Sequence, residues 1–279
     1  MAVAVVTGAA RGLGLAIATA LHRAGYEVLV TDLDDDAAAA AAGPIGGWSA
    51  RLDVRYDQAC QALARRAAER DGGLALWVNN AGVLATGPSW THSAGVRRRV
   101  LDVNALGAMN GTLAALDVMR AQGAGHIINV VSLAGLVAAP GEAVYAASKH
   151  ALLAFSIATL AELRADGCRD VHISCLCPDG IWTPMLHDKL DDPGAAVSFT
   201  GTLLTPERVA ARLVELAQHP RPVAALPRWR GVQVRLFDAL PRVSLRLAGL
   251  MLAVGRAGQR RQARRLGARK AQTRAARPG

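Results

Sequence analysis

Tyr145 and Lys149 lie four residues apart, a spacing that puts both side chains on one face of a helix. A free tyrosine titrates near ~10 and is a weak base at neutral pH. An ammonium beside it favours the phenolate and lowers that value. Tyr145 is then able to exchange a proton with a substrate hydroxyl or carbonyl oxygen, and the Ser132 hydroxyl is a candidate donor to the same oxygen. A second group stands near the N-terminus: Thr7-Gly8-Ala9-Ala10-Arg11-Gly12-Leu13-Gly14. Glycines let the backbone close on a pyrophosphate, and the helix that follows offers free N–H groups and a positive dipole end. Asp32 comes 24 residues after Gly8. A carboxylate there accepts ribose hydroxyls and repels a 2′-phosphate, which favours NAD over NADP. Arg11 pulls mildly the other way, because it is able to meet a phosphate. Taken singly, a glycine turn and a Tyr–Lys pair also have plain structural readings.

These residues need elements to hold them. Residues 2–7 are a continuous apolar run, as expected of a parallel strand covered on both faces. Further apolar runs at 27–31, 48–52, 74–78, 126–131, 171–176 and 223–226 read as strands. Helical spacing occupies 15–24, 34–42, 57–70, 91–121, 142–164 and 206–218, the last with Thr205 as N-cap and Pro206 at its first position. Strand and helix alternate. The expected fold class is therefore α/β: a Rossmann-type, doubly wound parallel sheet of about seven strands, helices on both faces and right-handed crossovers. The chemistry-bearing residues then fall at strand ends. Residues 183–204 hold Pro, Gly and Asp and read as a loop or lid.

The G-x-x-x-G-x-G spacing resembles that of the short-chain dehydrogenase/reductase family, and further motifs follow in order over about residues 1–225. Asn79-Asn80-Ala81-Gly82 resembles its N-N-A-G motif, and Leu52-Asp53-Val54 its acidic adenine-contacting position. Val103-Asn104 resembles its helix asparagine, and Ser132 with Tyr145-Ala146-Ala147-Ser148-Lys149 its catalytic serine and Y-x-x-x-K. The resemblance implies an NAD(P)-dependent alcohol dehydrogenase or carbonyl reductase, with Asn104, Ser132, Tyr145 and Lys149 as the catalytic set. It implies that Lys149 also holds the nicotinamide ribose and that Asn104 supports a water linking Lys149 to solvent. It implies cofactor contacts from Gly8, Arg11, Gly12, Leu13, Gly14, Asp32, Asp53, Val54, Asn80, Ala81, Gly82, Tyr145, Lys149, Pro178, Ile181 and Thr183. It implies a homodimer or homotetramer, with helices 91–121 and 142–164 at the interfaces. One departure stands out: Pro178-Asp179-Gly180, where the family has Pro-Gly. Asp179 reads as a turn residue bonding its own backbone, or as a substrate contact.

Candidate substrate-pocket residues are Leu133, Ala134, Ala139, Pro140, Glu142, Trp182, Met185 and Leu186, with core packing the alternative for several. Their apolar character points to a hydrophobic secondary alcohol or ketone. Glu142 reads as an exposed acid at a helix start, or as a contact to a polar substrate group. Two rival functions stay open. An NADP-linked 3-oxoacyl thioester reductase is opposed by Asp32, and a non-catalytic dinucleotide-binding sensor is opposed by Ser132, Tyr145 and Lys149.

The 279 residues are 52% hydrophobic and 19% charged, enough for a large core and inconsistent with a wholly disordered chain. Aromatics make up 4%, so Ala, Val and Leu must fill that core. Cys60, Cys168, Cys175 and Cys177 form no C-x-x-C pair and have no His cluster beside them. Reduced, buried thiols and no metal site are expected. The chain enters directly into a strand and has no unbroken apolar stretch of the length a membrane span needs, about 20 residues, so a cytoplasmic protein is expected. The net charge of +10 is uneven: residues 226–279 hold 14 basic residues and one acid, Asp238. The division expected is a catalytic domain over 1–226 and a basic extension over 227–279, with an apolar helix at 241–254 and a polybasic stretch at 256–279. That extension could pack on the body or on another subunit, lie on an anionic membrane surface, or remain a solvated tail. Nucleic acid is disfavoured, since no reader motif accompanies the charge.

Overall fold

The strand β1, Val3–Thr7, is buried at every position in a computed structural model that describes residues 1–275. Six more strands follow: β2 Glu27–Asp32, β3 Trp48–Arg51, β4 Leu74–Asn79, β5 Gly125–Val130, β6 Val171–Pro178 and β7 Val223–Leu226. They form one sheet in the order β3-β2-β1-β4-β5-β6-β7, every pair parallel. The order reverses between β1 and β4, which opens a crevice at the carboxyl ends of the strands.

The helices are α1 Gly12–Arg23, α2 Asp35–Ala42, α3 Asp57–Ala68, α4 Ala94–Leu101, α5 Ala108–Gln122, α6 Ala143–Ala165, α7 Pro184–His187, α8 Pro206–Gln218, α9 Arg228–Ala239 and α10 Pro241–Ala275. Successive strand residues point to opposite faces, and each face has its own core. Ala4 and Val6 pack with Ile17 and Leu21 of α1 and with Leu213 of α8. Val3 and Val5 pack with Leu63 of α3 and with Ala115 and Met119 of α5. The helix α6 is long and apolar enough by composition to cross a membrane. Here its Ala146, Ser148, Lys149 and Leu152 are buried within the fold.

Residues 183–204, read as a loop or lid, hold α7 and a 3-10 segment at Pro193–Phe199, and three further elements differ from the sequence reading. The expected helix over 91–121 is interrupted: α4 and α5 are joined by a π-helical turn at Asp102–Gly107. Such wide turns insert an extra residue per turn and re-aim side chains, and periodicity alone does not reveal them. Second, α9 lies where no element was assigned. Gly231 brings it onto β7, since a Cβ there would stand 2.3 Å from Ala225 Cβ. Third, the helix expected to end at 254 runs on through the polybasic stretch to Ala275, and residues 276–279 of that stretch lie outside the described residues. This helix rests on the body at residues 193–199. Cβ atoms at Gly255 and Gly258 would come within 2.0 Å of Ala196 O and 2.3 Å of Phe199 O. Gln259 Nε2 donates to Lys189 O at 2.6 Å and Asp192 O at 2.8 Å.

Candidate active site

The glycine loop is held open by its neighbours. Gly8 has φ +63°, and a Cβ there would stand 2.8 Å from Ala81 Cα. A Cβ at Gly14 would stand 2.2 Å from Gly8 O, so both positions need glycine. Asn80 Nδ2 donates to the carbonyls of Thr7 and Gly8 at 2.9 and 3.0 Å. The buried Thr7 hydroxyl accepts from the N–H groups of Asn80 and Ala81, both at 3.0 Å. Thr7 was not singled out from the sequence, where it is only the last residue before the glycines. Asp32, at the end of β2, accepts from Ala10 N at 3.2 Å, which seats its carboxylate beside the loop. Asp53 is paired with Arg55 at 2.5 Å, and the hydrogen bond from that guanidinium lowers its carboxyl below the ordinary range.

The sequence-predicted residues converge on one cleft of about 1480 Å³. It is lined by Gly8, Arg11, Gly12, Leu13, Gly14, Asp32, Asp53, Val54, Asn80, Ala81, Gly82, Ser132, Tyr145, Lys149, Pro178, Ile181 and Thr183. Asn104 stands behind the wall, fully buried in the π-helical turn. Its amide exchanges two hydrogen bonds of 2.8 Å with the backbone of Val83 and donates to Ser148 Oγ at 3.1 Å. It therefore ties α6 to the loop after β4.

Lys149 Nζ donates to Val130 O at 2.8 Å and lies 5.7 Å from the centre of the Tyr145 ring. Burial lowers the Lys149 ammonium to about 8. The expected lowering of the Tyr145 hydroxyl is not found. Burial raises it above its ordinary range, the Glu142 carboxylate adds to this, and the Ser132 side chain opposes it. The physical reason is that little water reaches the phenol oxygen to support a charged form, and the nearby Glu142 carboxylate repels that charge.

Of the substrate-pocket candidates, Leu133, Ala134, Ala139, Glu142, Met185 and Leu186 line the cleft. Pro140 and Trp182 do not; Trp182 packs with Leu186, Ala195 and Phe199 in a separate apolar cluster. Glu142 is not an exposed helix-start acid. It is 2% exposed, and burial raises its carboxyl to about 7. Asp179 does more than close a turn. Its Oδ1 accepts from Gly180 N at 3.0 Å, and its Oδ2 pairs with Arg230 Nε of α9 at 2.9 Å. The departure at Asp179 is thus matched by a partner in the extension. Further lining residues escaped the sequence reading: Val234 and Phe237 on α9, and Leu250, Met251 and Val254 on α10. Helical spacing was read for Leu250, Met251 and Val254 but not for Val234 and Phe237, and the face that either helix presents is decided by how the extension folds back.

A doubly wound sheet with a glycine turn at its switch point and a Tyr–Lys pair in the same crevice defines a Rossmann-type oxidoreductase architecture. The chain belongs to the short chain dehydrogenase family, whose profile matches residues 2–194. It is 38% identical over 192 residues to sex determination protein tasselseed-2 of Zea mays, a match covering 66% of this chain and 56% of that protein. It is 33% identical over 221 residues to cyclopentanol dehydrogenase of Comamonas sp., covering 77% of this chain and 86% of that one. A crystal structure of a short chain dehydrogenase/reductase from Burkholderia phymatum in complex with NAD superposes with a TM-score of 0.77 at 29% identity, covering 87% of this chain and 95% of that one.

Proposed function

We propose that this chain is an NAD-dependent alcohol dehydrogenase or carbonyl reductase acting on a hydrophobic secondary alcohol or ketone. The observation that carries the reading is that the glycine cradle, Asp32, Ser132, Tyr145 and Lys149 open on one cleft. The cradle fits a dinucleotide: two glycines whose Cβ atoms would clash keep the loop bare, and the N-terminus of α1 follows directly. Asp32 would take the adenosine ribose hydroxyls, and Lys149 the nicotinamide ribose. When bound, the nicotinamide supplies the hydride acceptor or donor. In the oxidative direction the phenolate form of Tyr145 would accept the substrate hydroxyl proton as the carbinol carbon gives up its hydride, and Ser132 would hydrogen-bond the same oxygen. Lys149, held on Val130 O and 5.7 Å from the centre of the Tyr145 ring, would favour the phenolate whenever its ammonium is charged.

The test is reduction of NAD+ and of NADP+ with a panel of secondary alcohols, Tyr145→Phe serving as control. Turnover with NAD+ that falls by about 10²–10⁴ in the variant supports the reading. Turnover restricted to NADP+ would favour the thioester reductase, and tight dinucleotide binding with no turnover would favour a sensor. Assembly as a dimer or tetramer through α5 and α6 belongs to the same proposal, supported by the exposed Leu106, Leu113 and Ile157; sedimentation velocity tests it. We also place the protein in the cytoplasm, its exposed Arg256, Arg260 and Arg261 suited to an anionic membrane surface. Failure of the full chain to sediment with anionic vesicles at low salt would remove that contact.

A further inference from the structure

Glu142 enters α6 one helical turn before Tyr145, and its side chain lines the part of the cleft walled by Leu133, Ala134, Ala139 and Val197. Its Oε1 accepts from Ser198 Oγ at 2.6 Å, and the backbone of the same residue also supports the carboxyl. The arrangement is tightly built. A Cβ on Gly141 would stand 2.2 Å from Gly194 O, and one on Gly180 would stand 2.3 Å from Ser198 O. The segment carrying Ser198 is therefore pressed against both loops, and it is held from behind by α10 through Gly255 and Gln259. A buried carboxyl held by one neutral residue and no cation is costly in an apolar wall, where an alanine or methionine would fill the place without penalty. A buried acid with a raised pKa beside the reacting groups is more often kept for a ligand than for stability.

We propose that Glu142 is a substrate-recognition residue: the substrate is an apolar alcohol or ketone that also carries a hydrogen-bond donor, a second hydroxyl or an amine, which the free oxygen of Glu142 accepts. This rests on the reading of Ser132, Tyr145 and Lys149 as the reacting group. Ser198 fixes the carboxyl, so the donor meets an acceptor already in place. A pocket built around such a group rejects the analogue that lacks it, because the acceptor is then left unpaired.

The experiment compares NAD+ reduction with cyclohexanol against the 1,2-, 1,3- and 1,4-cyclohexanediols and the matching aminocyclohexanols. It uses the full chain, Glu142→Met, Glu142→Gln and Ser198→Ala, with circular dichroism melts to confirm folding. The expected result is that at least one bifunctional substrate exceeds cyclohexanol in kcat/KM by about tenfold or more. That ratio collapses toward one in Glu142→Met. Glu142→Gln, which keeps an acceptor oxygen, recovers part of the ratio for the diol. Two results overturn the proposal: a ratio near one in the unaltered protein, or the same ratio in Glu142→Met. A carboxyl that merely staples residue 198 would shift both substrate classes together in Glu142→Met and Ser198→Ala, leaving the ratio unmoved. If no probe reduces NAD+ at all, the dehydrogenase reading fails, and this proposal falls with it.

Discussion

Gly249 and Gly255 lie six positions apart on α10, and replacing each with alanine should move stability in opposite directions. Alanine in a helix interior is favoured over glycine by about 1 kcal/mol. Gly249 has open space around it, with nothing within 4 Å of an added Cβ. Gly249→Ala should therefore stabilise the protein by about that amount. At Gly255 the same gain meets backbone: a Cβ would stand 2.0 Å from Ala196 O and 2.6 Å from Ala196 C. Backbone cannot swing aside as a flexible side chain does, and overpacking of this kind costs about 1–3 kcal/mol. If α10 lifts instead, Gln259 loses two hydrogen bonds, each worth about 1 kcal/mol. The two variants should thus differ by about 2 kcal/mol, with Gly255→Ala the weaker. At about 2–4 °C per kcal/mol the melting midpoints should separate by about 4–8 °C. Thermal melts followed by circular dichroism measure this directly. Limited trypsin digestion, which reads access to the arginines of α10, should cut Gly255→Ala faster. If both variants rise in midpoint by the same amount, α10 does not dock on residues 193–199 and the account of the extension is wrong.

Asp179 and Arg230 are a mostly buried pair, 9% and 14% exposed at their side chains. Removing one partner, as in Arg230→Met, should cost about 3 kcal/mol, while Asp179→Asn combined with Arg230→Met should cost less than the sum of the single changes in urea denaturation; strict additivity would contradict the pairing. Glu142 carries a raised carboxyl pKa of about 7 against an ordinary value of 4.5, so the folded state binds its proton more tightly than the unfolded chain. The stability it contributes is full below pH 4.5 and is lost as pH rises through about 7. Glu142→Gln should flatten this slope in melts taken between those values, and an unchanged slope would place the titration elsewhere. Asp32→Ala should lower the preference for NAD over NADP by at least about tenfold in kcat/KM, and an unchanged ratio would remove Asp32 from cofactor selection.

The seven strands and their doubly wound parallel class were readable because parallel strands buried on both faces leave unbroken apolar runs, and because glycines and a terminal aspartate mark where strands end. The break in the helix over 91–121 was not readable, since a π-helical turn keeps a broadly helical pattern while shifting its register. Asn104 shows the difference: its position in the motif was plain, but its bonds to Val83 and Ser148 depend on that turn. Glu142 was misread as exposed for a related reason. Its burial comes from the segment around Ser198 folding over it, 56 residues later in the chain.

The sequence by itself determined the family, because the spacing around Gly8, Asp32, Ser132, Tyr145 and Lys149 and the strand ends that carry them are local patterns. Tertiary structure alone decided what surrounds them. It gave Asp179 a partner in Arg230 beside its turn bond, set the apolar residues of α9 and α10 against the cleft, and raised rather than lowered the Tyr145 hydroxyl. Each of these depends on which distant segments exclude water from a group. Burial is a property of the packed whole, so local spacing does not carry it.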